Sequence, residues 1–230
     1  MFFPLACRAV GTRWNAPREH QPPARLARPQ ELDLTMSSRL HVLVASAAIA
    51  LLMPGLAVAA GNEFTGPLTD FAKGQLRQIA ESQVLVDAIK AQNATTASYD
   101  QAKIDALDKQ WRTEVDASDK PLINATLGTD ASKSLADAMN KTNGLITEIF
   151  ATDAKGLNVA QATMTSDYWQ GDEDKFTKSF GVGPDAIDIS DVEQDESTQV
   201  FESQVSITVT DPATGTPIGS ITAGIDVGKL

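Results

Sequence analysis

From Pro67 to Lys90 the apolar residues Leu68, Ala72, Leu76, Ile79, Val86 and Ile89 follow one another at three- to seven-residue steps. Such spacing lays them along one stripe and predicts a long helix over 67–90. The polar run Gln92-Asn93-Ala94-Thr95-Thr96 is expected to interrupt it. Ser98 and Gln101 have the spacing of a capping box, and Ile104, Leu107 and Trp111 then mark a second helix, with Pro121 soon after its end. Gly128-Thr129-Asp130 supplies a turn and cap for a third helix carrying Leu135, Ala138 and Met139, and Asn143-Gly144 ends it.

Beyond Gly144 the period shortens to two. Leu145 to Thr152 and Leu157 to Thr163 read as strands joined at Asp153-Ala154-Lys155-Gly156, a hairpin. The stretch "TSDYWQGDEDKF" (165–176) follows, with Gly171 or Asp172 placed to cap a short helix holding Phe176 and Phe180 and closed by Gly181. After Gly183-Pro184 comes a short strand near Ala186 to Val192. Val205, Ile207 and Val209 then alternate with Gln204, Ser206 and Thr208; "DPATGTP" turns the chain; and Ile221, Ala223, Ile225 and Val227 face one way on the return. Helices first and five strands afterwards cannot build a regular βαβ alternation. The fold class is therefore α+β with an antiparallel sheet.

Ahead of these elements lies a leader. Leu40 to Leu56 is nearly all Val, Leu, Ala, Ile and Met; Pro54-Gly55 breaks it, and Ala57-Val58-Ala59 gives the small residues a signal peptidase needs. We expect a secretory signal over 36–59, cleaved after Ala59 or Ala60. Residues 1–35 then form an N-terminal extension upstream of a true start at Met36, and 60–230 form one domain, periplasmic or secreted and without a membrane anchor.

Charge and inventory narrow the chemistry. The chain carries −11, and residues 1–59 hold six arginines against three acids, so without that +3 the remainder carries −14. Repulsion from phosphate argues against nucleic acid as a partner. Cys7, His20 and His41 are the only cysteine and histidines, and all lie before residue 60. The expected mature chain thus lacks thiol and imidazole, which removes Ser-His-Asp and Cys-His catalysis, zinc sites and His or Cys haem ligation. No cofactor is expected.

Taken in order, "FATDAKGLNVAQ", the aromatic "SDYWQGDE" and the closing "VSITVTDPATGTPIGSITAGIDV" resemble the extracytoplasmic PAS-like sensor domains called Cache or PDC domains, from about Pro67 to Val227. The resemblance implies a five-stranded antiparallel sheet, the long N-terminal helix on one face, and a small-molecule pocket beneath the segment that follows the second strand. It further implies that Tyr168 and Trp169 line that pocket, that Asp172 holds a ligand amine or hydroxyl, and that Ser166 and Asp167 are the nearest other polar groups. Family ligands are mostly amino acids, small organic acids and related metabolites. Typical members continue into a transmembrane helix and an output module, whereas this sequence stops at Lys229-Leu230. The expected partners are therefore a small metabolite (an amino acid, an amine or another organic molecule) and a separate membrane-bound kinase or chemoreceptor.

Each residue also has a plainer reading. Tyr168 and Trp169 serve equally as core, and neighbours in sequence rarely face the same way, so one of the two is expected inside. Asp172, Glu173 and Asp174 suit a helix start, where free N–H groups favour carboxylates. Ile104, Leu107 and Trp111 are expected to pack on the sheet, and the N-terminal stripe serves either a homodimer or that sheet. An enzyme would need two of these carboxylates as acid and base, as in a glycosidase; the acidic loop Asp185 to Glu196 lacks the spacing of a dedicated calcium loop. We expect a binding domain without catalysis, with a structural or interaction protein of closed pocket as the alternative. A pocket without Arg or His leans towards cationic or neutral ligands.

Overall fold

In the computed structural model, residues 62–194 and 199–230 are described. They belong to the compact unit Leu56–Leu230. The signal, its cleavage site, residues 1–35, and Asp195 and Glu196 of the acidic loop lie outside the described residues.

The N-terminal helix is a run of three pieces, α1 (Thr65–Phe71), a π-helical turn (Ala72–Leu76) and α2 (Arg77–Ala80). Leu68, Ala72, Leu76 and Ala80 are all buried. Steps of four drift about 40° around an ideal α-helix, and the wider π turn takes up that drift, keeping the stripe on the sheet. The run ends at Glu81, and Ser82 is extended (φ −62°, ψ 132°) before α3 (Gln83–Thr96). The single helix predicted over 67–90 is thus two, and Gln92–Thr96, expected to interrupt, completes α3. Tertiary partners outweigh weak propensity there: Asn93 Nδ2 donates to Ile218 O at 2.7 Å, and Asn93 Oδ1 accepts from Ala154 N at 2.8 Å.

Helix α4 (Gln101–Val115) is capped by Asp100, whose side chain accepts from Lys103 N, and not by Ser98. A helix absent from the prediction follows, α5 (Pro121–Leu127). Pro121 starts it, as proline at the first turn sacrifices no hydrogen bond. The free N–H groups of Leu122 and Ile123 go to Glu114 Oε2 on α4, at 2.8 and 3.0 Å. Helix α6 (Asp130–Asn140) is capped by Thr129.

The sheet is antiparallel, ordered β2 (Asn158–Gln161), β1 (Ile146–Asp153), β6 (Pro217–Asp226), β5 (Phe201–Thr210), β3 (Ile187–Ile189). A two-residue β4 (Glu193–Gln194) adds to β5. On one face Ile149, Ala151, Val205, Ile207, Ile221 and Ala223 meet Leu68, Leu76, Leu85, Ile89 and Leu135. Burying each Leu or Ile stabilises by roughly 1.5–3 kcal/mol. The N-terminal stripe is therefore used by the chain's own sheet. On the other face hydroxyls pair across strands, Thr152 with Ser220 at 2.8 Å and Ser206 with Thr222 at 2.9 Å, and the short α7 (Asp174–Thr177) contacts β5. Its cap is Glu173 rather than Gly171 or Asp172.

Helices α4 and α5 build a second core. Ile104, Trp111 and Ile123 pack with Leu157 and Tyr168, with Leu107 against them. The α4 stripe expected on the sheet instead holds the aromatic segment. It finds an apolar partner in α5, which the prediction lacked.

Candidate ligand-binding site

The segment after β2 is seated on the β1–β2 turn by backbone pairing. Asn158 N donates to Tyr168 O at 3.0 Å and Gln170 N to Gly156 O at 2.8 Å. Close approach requires glycine on both sides: a Cβ on Gly156 (φ +79°) would lie 2.5 Å from Gly171 Cα, and one on Gly171 would lie 2.3 Å from Trp169 Nε1. Helix α4 fixes the other side. Asp108 Oδ1 accepts from Tyr168 N and Trp169 N, and Trp111 Nε1 donates to Thr165 O at 2.9 Å.

These ties aim the two aromatic rings at different places. Tyr168 turns inward and stacks on Trp111, centroids 5.2 Å apart and planes 23° from parallel. It is 7% exposed. Its hydroxyl has no hydrogen-bond partner among the described residues, and burial, with the charge of Asp153 and then Tyr99 adding to it, pushes the phenol up to about 12. The ring borders a cleft of about 460 Å³ between α3, α4, α5 and β2, with Tyr99, Leu107, Leu122 and Val159 as apolar wall and Gln92, Thr95, Thr96 and Thr129 as polar groups. Among the described residues no charged side chain lines it.

Trp169 points away, its Nε1 donating to Lys155 O at 2.8 Å. It borders a separate cleft of about 410 Å³ with Asp105, Asp108, Lys109, Arg112, Thr113 and Asp172. Asp172 is exposed there and does not line the Tyr168 cleft. Ser166 is exposed. Asp167 accepts from Gln170 Nε2 and lies 3.8 Å from Arg112 Nη2; burial, and next the charge of Glu173, hold its carboxyl above the usual range. Of the five residues named from sequence, Tyr168 borders one cleft, Trp169 and Asp172 the other, and Ser166 and Asp167 neither.

Sequence reasoning missed the α3 side of the Tyr168 cleft, because Gln92, Thr95 and Thr96 sit in the stretch assigned to a break. The polarity of that stretch was the available signal. It also missed Asp153, fully buried behind the cleft. Its Oδ2 accepts from Thr96 Oγ1 (2.8 Å) and Gln92 Nε2 (3.2 Å), and its Oδ1 from Lys155 N and Leu157 N (2.8 and 3.0 Å). Among the described residues no group of three His, Cys, Asp or Glu side chains is placed to hold a metal ion, and no helix is long and apolar enough to cross a membrane.

No protein-family model and no curated protein matches the chain. Solved structures do. The sensor domain of the V. cholerae histidine kinase DctB is 13% identical, with TM-score 0.34, over 72% of this chain and 58% of that one. The ligand-binding domain of the Campylobacter jejuni chemoreceptor Tlp3, in complex with 4-methylisoleucine, is 12% identical, TM-score 0.31, over 69% and 62%. The E. coli DcuS sensor domain is 15% identical, TM-score 0.32, over 56% and 89%. The chain spans less than two thirds of the length of the first two. These three solved structures are sensor or ligand-binding domains.

Proposed function

We propose that this chain is an extracytoplasmic small-molecule sensor domain of the Cache or PDC type, which holds its ligand in the Tyr168 cleft and acts without catalysis. One observation carries the reading. A cleft of about 460 Å³ is walled by a tyrosine whose ring stacks on Trp111 and whose hydroxyl has no hydrogen-bond partner among the described residues. That volume suits a metabolite, and a mostly apolar lining with a few convergent polar groups is the usual composition of such sites. Residues 36–59 act as a removed signal, so the domain works in the periplasm or outside the cell. The ligand-dependent state is read by a separate membrane-bound kinase or chemoreceptor, since binding shifts whichever conformation it favours. Movement of α3 is the natural output, because that helix forms one wall of the cleft and its packing on the sheet changes if the wall closes.

A thermal-shift screen of the purified protein against amino acids, carboxylic acids, polyamines and purines tests the reading. A ligand at a hundred times its Kd adds about 2.7 kcal/mol to stability, and Tyr168→Ala should remove the response. No gain from any class would favour a structural protein with an unused cleft.

A further inference from the structure

We propose that the molecule held in the Tyr168 cleft is a small organic cation bearing no carboxylate, attracted by the buried Asp153 carboxylate behind the Gln92 and Thr96 wall. This rests on the cleft being the ligand site. Among the described residues no Lys or Arg lines the cleft, so a ligand carboxylate would enter without a charged partner, a costly transfer. The field there is instead negative. Asp153 is fully buried, all four of its hydrogen-bond donors are neutral, and it belongs to none of the ion pairs among the described residues. Its charge is spread over those donors but not cancelled, and low local polarity lets it act over distance. Thr96 gives its hydroxyl proton to Asp153 or to Gln92 O, which leaves oxygen lone pairs for the cleft.

The aromatic groups agree. Tyr168 and Tyr99 border the space, and ring faces attract ammonium groups. The cation beside them, Lys103, is exposed, 5.8 Å from the Tyr99 centroid, and outside the lining. Asp172, to which the resemblance gave a ligand amine or hydroxyl, faces the Trp169 cleft. The acid serving the Tyr168 cleft comes from the hairpin turn.

Calorimetric titration of the full protein tests this with probes alike in shape and different in charge: choline against neohexanol, in which carbon replaces the nitrogen, and against glycine betaine; phenethylamine against phenylpropanoate; and the natural amino acids. Binding of a cation about tenfold or more tighter than its uncharged and carboxylate counterparts supports the proposal. Binding confined to carboxylates or neutral compounds overturns it and leaves the sensor reading standing. No binding by these probes or by the broader screen overturns both. A charge pair at the exposed rim residue Thr95 gives a second measure that does not burden the fold. With whichever probe binds, Thr95→Glu should tighten a cation and Thr95→Lys weaken it, each by about three- to tenfold at low salt. Shifts of the same sign in both variants would sink the electrostatic argument.

Discussion

Asp108 Oδ1 accepts the backbone N–H of Tyr168 at 3.0 Å and, with the same oxygen, that of Trp169 at 3.1 Å. One carboxylate on α4 therefore sets the height of the whole aromatic segment above β2, and Arg112 Nε, at 2.8 Å from Oδ2, holds that carboxylate in turn.

Removing the anchor leaves two N–H groups without their acceptor. Asp108→Ala should cost about 2–3 kcal/mol in urea denaturation, since bonds to a charged acceptor are worth more than neutral ones. Asp108→Asn, which keeps an oxygen at the same place, should cost less than half as much. Equal losses would show that the charge or the Arg112 contact, rather than the shared acceptor, carries the effect.

Tyr168→Phe separates binding from folding. Among the described residues the hydroxyl makes no hydrogen bond, so its loss should change stability by less than about 0.5 kcal/mol, while ligand affinity falls. Trp111→Ala, by contrast, empties a fully buried site beneath the ring and should cost about 3–5 kcal/mol. A Tyr168→Phe protein as unstable as Trp111→Ala would identify the hydroxyl as a structural group.

Two acids, Glu114 buried and Asp167 half-buried, should respond to pH with opposite signs. Burial raises Glu114, but hydrogen bonds from Gln110 and the N–H groups of Ile123 and Leu122, with the charge of Lys120, outweigh it and leave the carboxyl below its usual range. Its contribution is present above the unfolded value near 4.3 and is lost as pH falls through the folded value. Asp167 is raised, so its ionised form opposes folding at neutral pH and protonation relieves this as pH falls through the raised value. Glu114→Gln should destabilise at pH 7, Asp167→Asn should stabilise, and both differences should shrink towards pH 3 in thermal melts.

Glycine at the hairpin turn admits a paired comparison. Gly156 (φ +79°) faces Gly171 at contact distance, whereas Gly215 (φ +72°) has open space around it. Gly215→Ala should cost roughly 1 kcal/mol from backbone strain alone. Gly156→Ala should cost at least about twice that, because the aromatic segment must also lift. Equal costs, measured by chemical denaturation, would mean the segment yields freely.

Much of the architecture was legible locally. Alternation in 200–210 and 218–227, the hairpin at Asp153–Gly156 and the change of period after Gly144 all depend on near neighbours, and the observed strands follow them within a few residues. Helix α5 escaped because seven residues carry too short a period, and its N-terminus is completed by Glu114 from another helix. The same holds for the end of α3, where residues over sixty positions away reward Asn93 for staying helical.

The site divides along that line. The sequence by itself determined the inventory, with no imidazole or thiol beyond residue 41, and an aromatic pair of which one ring had to turn inward. Only the tertiary structure decided that Tyr168 is the inward ring, that α3 supplies the opposite wall, and that Asp153 rather than Asp172 lies behind the cleft. Periodicity reports which face of an element is buried; which other element covers it is settled by packing between distant parts of the chain, and a binding cleft consists of those encounters.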